Sequence, residues 1–151
     1  MQQAIYSLKY RNLRAIAPVL AGLLNDYLSV NPVPGDVLVP VPLHKSRINE
    51  RGYNQSELLA RQLSRLTGLP VADGCLERNR ATSPQARTAS ADERKSNVSD
   101  AFSCRDDGLS GRNVILIDDV STSGATLDAC AAVLKEAGAG SVWGLTVARE
   151  I

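Results

Sequence analysis

Residues 114–126, VILIDDVSTSGAT, constrain what this chain can fold into more than any other stretch. The run 114–117 is β-branched and aliphatic, the pattern of a strand buried on both faces of a parallel sheet. Such a strand delivers its C-terminal end to a ligand crevice. Asp118 and Asp119 stand at that end, where carboxylates can accept hydrogen bonds from sugar hydroxyls or help hold a cation-bound ligand. Ser121, Thr122, Ser123, Gly124, Ala125 and Thr126 follow, with hydroxyl donors and a close backbone approach at a helix N-terminus: the chemistry of a phosphate cradle. Each part alone has a plainer reading, the acids as a turn and the Ser/Thr/Gly stretch as a helix cap. The joined order of strand, acid pair, loop and amphipathic helix favours the ligand site.

A length of 151 residues predicts one domain over 1–151, and 44% hydrophobic residues can supply its core. The net charge of +1 gives no global reason to expect nucleic-acid binding. The longest apolar candidate, 15–28, is interrupted by Asn25 and Asp26, and MQQAIYSLKYRN lacks the apolar segment of a signal peptide. A soluble, cytoplasmic protein without membrane insertion is expected. Cys75, Cys104 and Cys130 are odd in number, far apart and without a CxxC pair. They predict buried or incidental thiols rather than a disulfide framework or a zinc site.

Along the chain, Tyr6, Leu8, Lys9, Tyr10, Arg11 and Arg14 suggest an amphipathic strap over the core rather than a surface for an acidic partner. Ile16, Val19, Leu20, Leu23, Leu24 and Tyr27 recur at helical spacing, predicting a helix over 14–28 that packs this face, with Pro18 in its first turn. A strand at 37–41 ends at Pro40 and Pro42. The loop expected over 43–54 carries His44, Lys45, Arg47 and Arg51, and suits either a dianionic group or a solvated turn. An acid or base role for His44 is the lesser reading. Leu59, Leu63 and Leu66 mark a helix over 55–67 closed by Gly68, and Val71 and Ala72 suggest a short strand. The arginine-rich stretch 77–97, with Arg78, Arg80, Arg87, Arg94 and Lys95, is a candidate lid, an inert loop being the alternative. Ser90 and Glu93 fit a capping box within it. A strand at 101–104, a helical stripe of Leu127, Cys130, Ala131, Leu134 and Ala137, and a strand at 141–148 complete an α/β fold with a mainly parallel sheet flanked by helices.

The segment VILIDDVSTSGAT resembles the phosphoribosyl pyrophosphate (PRPP) motif of type I phosphoribosyltransferases. With IYSLKYRN, VPVPLHKSRINERGYNQSELLA and RNRATSPQARTASADERKSNVSDAF in the same order, most of the chain resembles the competence protein F family. That resemblance implies a type I phosphoribosyltransferase-like, amidophosphoribosyltransferase-like fold and an association with DNA uptake, with nucleic acid or competence proteins as partners. It also implies PRPP as ligand with magnesium, and phosphoribosyl transfer to an unidentified nitrogen nucleophile with release of pyrophosphate. Loop groups from Ser121 to Thr126 suit the 5-phosphate. Asp118 and Asp119 suit the ribose diol and, through PRPP or water, the metal. Lys45, Arg47, Arg51, Arg80 and Arg87, with Arg94 and Lys95, suit the leaving pyrophosphate, so that placement and electrostatic stabilisation carry catalysis. The alternative is a PRPP-binding regulator or competence partner without turnover. A nucleic-acid module built on the basic loops ranks third, given the near-neutral charge and few aromatics. Neither a GxxxxGK[ST] loop nor a suitably placed GxGxxG is present. The cysteine-rich zinc ribbon of many family members has no counterpart in the sequence, so zinc is not expected. With no hood expected after 151, the acceptor pocket falls to the N-terminal segment, the loops or another subunit of a homo-oligomer.

Overall fold

The computed structural model describes residues 14–79, 101–105, 108–121 and 123–149. A short 3-10 turn, Arg14–Ile16, leads into α1 (Ala17–Val30), followed by β1 (Val37–Pro40), α2 (Lys45–Arg51), α3 (Gln55–Thr67), β2 (Leu76–Arg78), β3 (Phe102–Cys104), β4 (Asn113–Ser121), α4 (Ala125–Glu136) and β5 (Ser141–Arg149). The apolar run at 114–117 lies at the centre of a parallel sheet ordered β1-β4-β5. Val37 to Pro40 register with Val114 to Ile117, and β4 pairs with β5 from Asn113 opposite Ser141 to Ser121 opposite Arg149. Val71 adds a parallel bridge to Leu38, and β2 and β3 form a separate antiparallel pair.

The strand alternation of β4 explains why both faces need apolar residues. Ile115 and Ile117 enter one core with Leu20, Leu24, Leu59 and Leu63 of α1 and α3. Val114 and Leu116 enter another with Phe102, Cys130 and Leu134, under α4 and the β2–β3 pair. All four β4 side chains are buried, and each such burial stabilises the fold by roughly 1.5–3 kcal/mol.

Local signals set the helix ends near the site. Asn54 caps α3 by accepting the Ser56 N–H at 3.0 Å, and its own amide donates to the Val41 carbonyl at 3.0 Å. The start of α3 is therefore tied to the exit of β1. Gly52 and Gly68 close α2 and α3 in the left-handed conformation.

Several expectations are corrected. The buried face of α1 is Ala17, Leu20, Ala21 and Leu24, whereas Val19, Leu23 and Tyr27 are exposed. Alanines let the helix approach its neighbours closely, and α1 is rotated toward them. Leu66 is likewise exposed, its place taken by Ala60. The segment expected as a loop contains α2, and the central strand runs on through the acid pair to Ser121. The lid residues Arg80, Arg87, Arg94 and Lys95, the capping box and Thr122 lie outside the described residues. The three cysteines are free thiols, Cys75 and Cys130 buried. Among the described residues, no helix is long and apolar enough to cross a membrane.

Candidate functional site

The acid pair is held by its own backbone and by one distant hydroxyl. Asp118 Oδ1 accepts the Asp119 N–H at 2.8 Å and the Ser56 hydroxyl at 2.9 Å, and Asp119 Oδ1 accepts the Val120 N–H at 2.7 Å. Ser56 is buried at the first turn of α3, so the Asn54 cap aims it across the sheet at Asp118. Asp119 is only 3% exposed. Burial pushes the Asp118 carboxyl up to about 7, aided by the charge of Asp119 and a side-chain hydrogen bond with it, while the Asp119 N–H and Ser56 oppose the rise. Beneath the pair, burial and then the Asp118 charge push the Cys130 thiol up to about 12.

The loop after β4 meets α4 at Gly124, whose φ of 81° is left-handed. No side chain caps this helix, but the Ser123 hydroxyl accepts the Ala125 N–H at 3.3 Å. A helix N-terminus carries unsatisfied N–H groups and partial positive charge. Asp118, Ser121, Gly124, Ala125 and Thr126 line one small pocket of about 30 Å³ there, with Val120 and Leu127. Five residues expected in the ligand half-site thus converge.

Lys45 lines a different and larger cleft of about 500 Å³ beside the exit of β1, with His44, Asn54, Arg78 and Arg105 among its walls. The acids of this cleft are paired: Glu57 and Asp73 with Arg61, and Glu77 with Arg105 at 2.6 Å. His44 Nδ1 accepts the Ser46 N–H at 3.2 Å, so the ring caps α2 while lining the cleft. Arg51 donates to Gln55 Oε1 at 3.2 Å at the α2–α3 junction.

Two residues escaped the sequence reading. Ser56 reaches Asp118 from 62 positions away, and no local pattern reveals such a contact. Arg78 stood in the arginine-rich stretch without a role. It lies 5.2 Å over the Phe102 ring, and its guanidinium is pushed below its ordinary value by burial and then by Arg47, with Cys130 and Asp118 opposing. Arg78, a wall of the cleft of Lys45, thus lies within electrostatic reach of both Arg47 and Asp118. No group of three or more His, Cys, Asp or Glu side chains that could hold a metal occurs among the described residues.

The chain is 36% identical to competence protein F of Haemophilus influenzae, over 93% of this chain and 65% of that protein. It is 36% identical to the DNA utilization protein YhgH of Escherichia coli (91% and 62%) and 34% identical to competence protein ComFC of Bacillus subtilis (99% and 60%). The chain spans less than two thirds of the length of each. No protein-family model matches. Among solved structures, the glutamine PRPP amidotransferase of Bacillus subtilis superposes with a TM-score of 0.59 at 23% identity, covering 87% of this chain and 26% of that one. The purine phosphoribosyltransferase of Pyrococcus horikoshii gives 0.53 at 16% identity, covering 86% and 70%. These likenesses show the fold of the type I phosphoribosyltransferases.

Proposed function

Because the chain is a relative of competence protein F along nearly all of its length and has the type I phosphoribosyltransferase fold, we propose that it binds PRPP and transfers its phosphoribosyl group to a nitrogen nucleophile. The observation that carries this reading is the pocket in which Asp118, Ser121, Gly124, Ala125 and Thr126 meet at an uncapped helix N-terminus. The 5-phosphate takes the N–H groups of α4 beyond the one that Ser123 accepts, and the ribose hydroxyls donate to the carboxylates of Asp118 and Asp119. Magnesium, when bound, neutralises pyrophosphate charge. Two adjacent carboxylates suit an ion that keeps water and takes most of its oxygens from the ligand, since they are too few to cage it. The bond from ribose C1 to the pyrophosphate oxygen breaks, its electron pair leaves with that oxygen, and the acceptor nitrogen supplies the pair of the new C1–N bond. In this reading Lys45 and Arg78, which line the neighbouring cleft, stabilise the leaving charge together with Arg47, whose charge reaches Arg78.

A second reading keeps the site without turnover: a PRPP-binding partner in competence. It rests on the names of the relatives, which speak of competence and DNA utilization and of no transfer reaction. Calorimetric titration with magnesium and PRPP tests the binding both readings share. Asp118→Asn combined with Asp119→Asn should abolish the heat while the circular dichroism spectrum stays native; unchanged affinity would remove the site. A pyrophosphate-release screen over nucleobases and ammonia separates the two readings, because only the first expects acceptor-dependent release.

A further inference from the structure

We propose that the open edge of β5 pairs antiparallel with β5 of a second copy of this chain, joining two three-stranded sheets across a two-fold axis. In the order β1-β4-β5, no strand covers the outer side of β5 among the described residues. An uncovered edge presents a row of unpaired N–H and C=O groups, and edge strands are ordinarily blunted by charge, proline or shortness. β5 is nine residues long, and its first eight, SVWGLTVA, contain no charge and no proline.

The strand is complementary to itself. In the register that uses all nine residues, Leu145 lies on the axis. Trp143 then faces the partner's Val147, an aromatic and β-branched pair of the kind that stabilises antiparallel ladders. Gly144 faces the partner's Thr146, Val142 faces the partner's Ala148, and Ser141 faces the partner's Arg149. No like charges are opposed.

Both faces of the joined sheet gain from this register. On the α1 face, Trp143 alternates with Leu145 and Val147, which pack in the core with α1, yet Trp143 itself is 45% exposed. α1 adds a stripe of Val19, Leu23, Tyr27 and Val30, exposed by 44–79%, while its opposite flank at Gly22 and Asn25 is half-buried. Among the described residues, five of the seven large exposed hydrophobics therefore lie on these two elements, and two copies of α1 meeting about the axis would cover them as an isologous contact. The strip is roughly 30 Å long and two elements wide, of the order of the ~800 Å² per partner of a standard interface.

On the α4 face, a cleft of about 450 Å³ opens beside the phosphate loop, lined by Ser123, Gly124 and Leu127 and, from β5, by Val142, Gly144 and Thr146. The register sets the partner's Thr146 and the partner's Ala148 against two of these β5 positions. The second copy closes the cleft and contributes to its wall.

Trp143 is the only tryptophan, so its emission reports the pairing directly. Sedimentation of the chain from low micromolar to hundreds of micromolar should show the mass doubling, with a blue shift of emission over the same range. Trp143→Lys should weaken association at least tenfold, and Ile48→Ser, at an exposed apolar position off the strip, should leave it unchanged. If Trp143→Lys loses its native circular dichroism, Val19→Glu with Val30→Glu, at exposed helix positions, must give the same weakening. A chain that stays monomeric throughout overturns the proposal. So does a dimer whose tryptophan remains water-like and whose affinity survives these substitutions.

Discussion

Asp118 is the residue at which stability and proposed function pull in opposite directions. Its carboxyl is pushed from the ordinary 3.8 up to about 7, so the folded chain holds a proton that the unfolded chain has released between those values. Its contribution to stability is therefore greatest below about pH 4, falls as the pH rises toward 7, and stays low above. Asp118→Asn removes this penalty and keeps an oxygen for Ser56. The variant should be more stable than the parent by up to about 4 kcal/mol at pH 8 and equal to it near pH 4, read from urea unfolding at both pH values. A gain of the same size at both would show that charge is not the cause. Ser56→Ala removes a hydrogen bond that favours the charged form, so Asp118 should titrate higher still, followed by carboxyl chemical shifts, and PRPP affinity should fall several-fold. The carboxylates were legible in the sequence because they stand between a buried strand and a Ser/Thr/Gly loop, an order that a turn alone does not explain. Ser56 was not, since a serine at a helix start is satisfied by capping alone, and only the tertiary path of α3 turns it toward β4.

At the scale of elements, the turn from β4 into α4 depends on one backbone conformation. Gly124 has φ of 81°, and a Cβ there would meet nothing within 4 Å. Substitution is thus opposed by backbone strain alone. Gly124→Ala should cost about 1 kcal/mol in thermal unfolding, and Gly124→Asn less, because asparagine tolerates the left-handed region. Equal losses for the two would point to a contact rather than strain. The start of α3 offers a contrasting case. Asn54 caps the helix and also donates to the Val41 carbonyl, so Asn54→Ala should exceed the roughly 1 kcal/mol of an ordinary cap loss, checked by urea unfolding against Asn54→Ser, which restores the cap alone. The helices were legible as helices, but the face α1 buries was not. Its sequence carries two overlapping stripes, one rich in Ala17 and Ala21 and one in Val19, Leu23 and Tyr27, and bulk alone favours the second. Close approach to α3 requires the small residues, and periodicity holds no information about that neighbour.

For the whole molecule, the sheet divides the interior into two cores that share no side chain, one against α1 and α3, the other against α4 and the β2–β3 pair. This division was half legible: the unbroken apolar run at 114–117 announced a strand with two buried faces, and β3 was expected as the strand at 101–104, but its antiparallel partner β2 at 76–78 was not, because three residues, two of them charged, leave no strand pattern. Cores on opposite faces of the sheet meet across the backbone of β1, β4 and β5, so their losses should add. Ile117→Val thins the α1 and α3 side at the middle of β4, and Val37→Ala thins the α4 side three residues away along the β1–β4 pair. The first should cost about 0.5–1.5 kcal/mol and the second about 1–3 kcal/mol. In the double variant the sum should hold within about 0.5 kcal/mol in urea unfolding, with one cooperative transition. Two separate transitions would mean that each core unfolds by itself, and the strand carrying Asp118 would then belong to whichever core persists.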